Sequence, residues 1–113
     1  MRRIIAFVDH EIGYRLLEKI AFNQKTFACE LVAVVTTQDN GNKWWPGVEG
    51  LCQKVGIPLH RYSDPFIALN NYDNIDWYFL LSWKHIIPKT LIERPKHGAI
   101  NLHYSLLPYS SYA

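Results

Sequence analysis

"RRIIAFVD" (residues 2–9), running straight into "HEIGYRLLEKIAF" (10–22), is the stretch that decides the fold. The first part is a short, continuous apolar run with β-branched residues, the pattern of a strand covered on both faces. The second part puts Ile12, Leu16, Leu17 and Ile20 at helical spacing. It carries acid early and Lys19 late, as the helix dipole favours. The same alternation continues down the chain. "CELVAVVTT" (29–37) reads as a second buried strand, and "QDNGNKWWPG" (38–47) as a turn-rich loop marked by Asn-Gly and Pro-Gly. "VEGLCQKVG" (48–56) reads as a short helix capped by Gly56, and "IPLHRY" (57–62) as a brief strand whose Pro58 favours an edge or a strand start. "DPFIALNNY" (64–72) opens as a helix does, with an N-cap followed by Pro. "IDWYFLLSW" (75–83) is the most apolar strand, "PKTLIERP" (88–95) a short helix between two prolines, and "HGAINLH" (97–103) a last strand.

That order predicts an α/β fold: a Rossmann-like, mostly parallel sheet of about five strands with helices on both faces. Right-handed crossovers place the first and fourth strands side by side. Ligands of such sheets bind beyond the carboxyl ends of the strands, where the strand order reverses. Asp9 to Glu11, Ser82 to His85 and Asn101 to Tyr104 should therefore share one rim.

At 113 residues the sequence reads as one domain, 1–113. Its 49% apolar and 19% charged residues are those of an ordinary globular protein. A net charge of +2, mixed along the chain, gives no footprint for nucleic acid or an anionic membrane. No apolar run approaches the ~20 residues needed to span a bilayer. Asp9, His10 and Glu11 interrupt what would be a signal peptide, so a cytoplasmic protein is expected. Cys29 and Cys52 lack zinc-type spacing and read as buried free thiols.

The first turn, "VDHEIGYR", has one Gly and two acids, where a dinucleotide site needs a Gly-rich turn open to pyrophosphate. A nicotinamide dinucleotide site is not expected. Five His residues are scattered without HxxxH or HExxH spacing, and the consecutive side chains of Asp9, His10 and Glu11 should diverge, so no metal site is expected. Asn101 and His103 are different. Two apart in a strand, they point to one side, and at a carboxyl end they face the crevice. An amide and an imidazole so placed can grip an oxygen that gains negative charge. They can equally be a polar cap on a strand end.

"NLHYSLLP" (101–108) resembles the Asn-x-His-Pro-Ser-Leu-Leu-Pro signature of folate-dependent formyltransferases, departing only at Tyr104. "SWKHIIPKTLI" (82–92) resembles the segment that lines the folate pocket in that family, and "RIIAFVDHEIGYRLLEKI" resembles its amino terminus. The resemblance spans the chain but corresponds to about the first half of a formyltransferase domain, so the fold is expected to be an incomplete formyltransferase fold. It implies transfer of a formyl group from N10-formyltetrahydrofolate to an amine. Asn101 and His103 would be the catalytic pair, stabilising the tetrahedral oxyanion, with His103 also shuttling a proton. Trp83, His85, Ile86 and Ile87 would line the pterin pocket, although Ile86 and Ile87 also suit a core. Lys84 and Lys89 would meet a glutamate tail or simply be solvated.

Tyr104 in place of Pro points to the sugar-modifying branch, and so to a small-molecule acceptor such as a nucleotide-linked amino sugar rather than a nucleic acid or a membrane. No Arg follows Pro108, and the family's catalytic Asp has no match in the sequence. By itself the chain is expected to be weak or inactive. Its sheet is expected to end in an unpaired edge through which it could oligomerise. The alternative reading is a non-catalytic remnant or interaction module that keeps the Rossmann-like fold.

Overall fold

The computed structural model describes residues 1–37, 45–61 and 69–102. In chain order these form β1 (Arg2–Val8), α1 (His10–Ala21), β2 (Cys29–Thr36), α2 (Trp45–Val55), β3 (Leu59–Arg61), β4 (Trp77–Leu81), α3 (Lys89–Ile92) and β5 (Ala99–Leu102). The strands make one sheet in the order β3-β2-β1-β4-β5. Every neighbouring pair is parallel. The first and fourth strands are adjacent, as the crossover rule requires, with Ile4 opposite Trp77 and Val8 opposite Leu81.

A parallel sheet must cover both faces, because its crossovers run over both. Alternate residues of β1 serve the two sides. Ile4, Ala6 and Val8 pack with Leu17 and Ile20 of α1 and with Val48, Leu51 and Cys52 of α2. Ile5 and Phe7 pack on the other side with Ala33, Val35, Tyr78, Trp83 and Leu91. Phe7, Ile4, Ile5 and Leu17 are fully buried. Each contributes roughly 1.5–3 kcal/mol by leaving water. Cys29 and Cys52 are buried free thiols, as expected.

The elements follow their local chemistry. Asp9 caps α1, its side chain accepting from the His10 N–H. α2 begins at Trp45, earlier than the expected 48, and so absorbs the Pro-Gly pair read as a turn. Pro46 is tolerated there because the first helical turn leaves its N–H groups unpaired anyway. The helix ends at Gly56 as expected: φ is +80°, and the N–H groups of Gly56 and Ile57 both reach the Cys52 carbonyl. Pro58 stands just before β3, its carbonyl accepting from Val34 N–H. The helix expected over 64–72 lies largely outside the described residues.

Between β3 and β4 the chain crosses from one side of β1 to the other. The carboxyl ends of β1 and β4 are therefore the switch point, the place where ligands of such sheets bind. α1 comes very close to β4 here. A Cβ on Gly13 would lie 2.4 Å from the Leu81 carbonyl oxygen, so only glycine fits.

Candidate functional site

Backbone hydrogen bonds tie three strand ends into one rim. Asp9 N–H donates to the Leu81 carbonyl at 3.2 Å, and Ser82 N–H donates to the Leu102 carbonyl at 3.1 Å. The ends of β1, β4 and β5 are thus in direct contact, as the sequence pattern required. Two non-glycine residues on this rim adopt left-handed backbone, His10 (φ +60°) and Ser82 (φ +56°). Such residues cost about 1–2 kcal/mol each and cluster at functional sites.

Asp9 connects several polar groups of the rim. It is 5% exposed. Its Oδ1 accepts from His10 N–H and from the Thr37 hydroxyl, both at 3.0 Å. Its Oδ2 lies 3.3 Å from His85 Nε2 and 4.0 Å from His10 Nε2. The expectation that the side chains of Asp9 and His10 diverge is thereby corrected: the left-handed turn at His10 folds its ring back toward Asp9. Glu11 instead runs along the helix and pairs with Arg15 at 3.1 Å. Thr36, just before Thr37, bonds the Val8 carbonyl at 3.0 Å and helps fix the β1 and β2 ends together.

The segment after β4 divides its side chains between core and crevice. Trp83 is buried, with its ring edge-on to Phe7 at 5.4 Å and to His85 at 5.1 Å. Ile87 packs on the core cluster that holds Trp83, while Ile86 is 86% exposed. His85 is partly exposed, with its ring against that of Trp83. Asn101 is exposed on β5, opposite Leu80. The structure therefore brings Trp83, His85, Ile86, Ile87 and Asn101 to neighbouring strand ends. His103 and Tyr104 lie outside the described residues. Asp9 and Thr37 were not singled out as site residues. The signal available was positional: both immediately follow strands whose parallel pairing puts them on the same rim.

Comparison with known proteins bears directly on this rim. A family model described as formyl transferase matches residues 59–110, which include the segment after β4 and all of β5. A methionyl-tRNA formyltransferase of Listeria innocua is 34% identical over 118 residues, a match covering 96% of this chain and 36% of the relative. Over nearly its whole length the chain is similar to formyltransferases. A methionyl-tRNA formyltransferase of Prochlorococcus marinus is 32% identical, over 94% of the chain and 34% of the relative. Glycinamide ribonucleotide transformylase 1 of Symbiobacterium toebii shares the fold with a TM-score of 0.68 at 16% identity, covering 96% of this chain and 54% of that one. The chain thus spans about a third of these curated formyltransferases and about half of the solved one. Among the described residues, no helix is long and apolar enough to cross a membrane.

Proposed function

We propose that this single domain, 1–113, forms the formyl-donor side of a transferase site: it binds N10-formyltetrahydrofolate at the carboxyl rim and hands the formyl group to an amine. The observation that carries this reading is the junction of the Trp83–Ile87 segment with the end of β5, where Ser82 bonds Leu102 and Asn101 stands exposed beside it. The exposed Ile86 and partly exposed His85, backed by the buried Trp83 and by Ile87, supply an apolar wall with one polar group, suited to a flat heterocycle. When the amine attacks the formyl carbon, the carbonyl π electrons move onto oxygen. Donors from Asn101 and His103 stabilise that oxyanion; its collapse breaks the bond between the formyl carbon and N10, and His103 carries the proton lost by the amine to that departing nitrogen. The chain spans about a third of its curated relatives' length, so donor binding is the part of the reaction proposed for this stretch of chain.

The acceptor is proposed as an amine. The relatives are named for methionyl-tRNA and glycinamide ribonucleotide. The nucleotide-linked amino sugar rests on Tyr104 alone and has no counterpart in those names. Offering all three acceptors and measuring formylated product discriminates among them.

Donor binding is tested by titrating the chain with a reduced folate while following tryptophan fluorescence. Saturable quenching is expected. Ile86→Asp should weaken it at least ten-fold without changing Tm, because the Ile86 side chain packs on nothing that the fold needs. Absence of a saturable response, together with a concentration-dependent dimer, would establish instead an interaction module pairing through its sheet edge.

A further inference from the structure

The Asp9–Thr37–His85 constellation spans the switch point, and the reading of the rim as a folate site uses His85 but gives Asp9 and Thr37 no task. Asp9 is buried in a position fixed twice over, by the α1 cap and by the Thr37 hydroxyl. Both of those contacts use Oδ1. Oδ2 is left to the imidazoles, with His85 Nε2 at 3.3 Å the nearer. A carboxylate oxygen facing a ring nitrogen at that distance favours a proton on that nitrogen, because two lone pairs would repel. Which nitrogen of a histidine carries the proton is set by the partner of the other, as with carboxylate–histidine pairs elsewhere. The ring of His85 in turn abuts the edge of Trp83.

We propose that Asp9 is a positioning residue: it holds His85 with its proton on Nε2 and its lone pair on Nδ1, and so sets the chemical character of the crevice wall built by Trp83 and His85. This deepens the reading of the rim as a formyl-donor site and rests on it for the identity of the ligand. Asp9 touches neither donor nor acceptor in this account and acts through His85.

The test uses Asp9→Asn. Asparagine caps a helix as well as aspartate and keeps an oxygen for His10 N–H and the Thr37 hydroxyl. It places an amide NH₂ where Oδ2 was, which demands a lone pair on Nε2 and drives the proton to Nδ1. Long-range ¹H–¹⁵N spectra of the unliganded chain, recorded where a further rise in pH no longer moves the His85 nitrogen shifts, read the tautomer directly. Nε2–H is expected for His85 in the wild type and Nδ1–H in Asp9→Asn. Nδ1–H in the wild type, or the same tautomer in both, overturns the proposal.

A mutant cycle on reduced-folate affinity supplies the second readout. Asp9→Asn and His85→Gln should each weaken binding about ten-fold, and the double variant no further, because the first acts through the second. Multiplying losses would show two independent structural effects and sink the positioning role. If the wild type binds no reduced folate, the donor-site reading fails, while the tautomer spectra still decide whether Asp9 orients His85.

Discussion

Replacing Gly13 by Ala should destabilise the protein, although alanine is the better helix former. Gly13 lies inside α1, where alanine is favoured over glycine by about 1 kcal/mol. Against that gain stands the packing of α1 on the end of β4. An added Cβ would meet the Leu81 carbonyl oxygen at 2.4 Å, with the Leu81 carbonyl carbon and Val8 Cγ1 at 3.3 Å. The oxygen is about 1 Å short of an ordinary contact and belongs to the backbone, which cannot swing away. α1 must lift instead, and lifting it strains the Asp9 N–H to Leu81 carbonyl bond of 3.2 Å. Overpacking of this kind costs typically 1–3 kcal/mol. The net loss should be up to about 2 kcal/mol, and at roughly 4 °C per kcal/mol Tm should fall by up to about 8 °C.

Gly50→Ala is the matched control. It is also inside a helix, and nothing lies within 4 Å of its added Cβ. It should raise Tm by up to about 4 °C. Thermal unfolding of the three proteins by far-ultraviolet circular dichroism gives the comparison. A Gly13→Ala variant stabilised as much as Gly50→Ala would refute the close approach of α1 to β4 on which the rim geometry depends.

Three further outcomes are expected. Burial pushes the Cys52 thiol up to about 11 and raises Cys29 as well. Neither should react with a disulfide reagent at pH 8 until denaturant is added, and rapid native labelling would contradict the packed α2–sheet interface. Burial holds the His60 imidazole, bonded to the Tyr72 hydroxyl at 2.7 Å, below its ordinary value near 6.5. The unfolded chain then takes up this proton first, so the stability tied to His60 is intact above about pH 6.5 and is lost as pH falls through the lower folded value. Tm should decline less steeply between pH 7 and 5 in His60→Gln than in the wild type, and an unchanged slope would refute this. Asn101→Ala should leave Tm within about 2 °C, since the side chain is exposed, and should lower any formyl transfer by about 10²-fold through loss of an oxyanion donor.

The sheet could be read from the sequence because each buried strand is a short β-branched run and each helix an amphipathic one. The order of the strands then followed from the handedness of crossovers. Asn101 and the Trp83–Ile87 segment could be placed on the rim because strand ends are easy to find in such a pattern. The Asp9 constellation could not. Strand ends place Asp9, Thr37 and His85 on one rim, but the side-chain pairing among them, and the left-handed His10 that turns its ring toward Asp9, carry no sequence signal. The early start of α2 was hidden by Pro46, which marks a turn in most contexts and a first helical turn in this one. The bulge where β1 shifts register against β2, between Ile4 and Ile5, leaves the hydrophobic pattern unchanged and so no trace in it.

The most direct test of the account is a backbone amide spectrum of the chain, recorded while a hydrolytically stable analogue of 10-formyltetrahydrofolate is added. Shifts should saturate and concentrate at Asp9, Ser82 to Ile87 and Asn101, leaving the amino ends of the strands around Arg3, Asp76 and Lys96 unmoved. Saturating shifts confined to that opposite end of the sheet, or none anywhere at millimolar ligand, would contradict a formyl-donor site at the carboxyl rim.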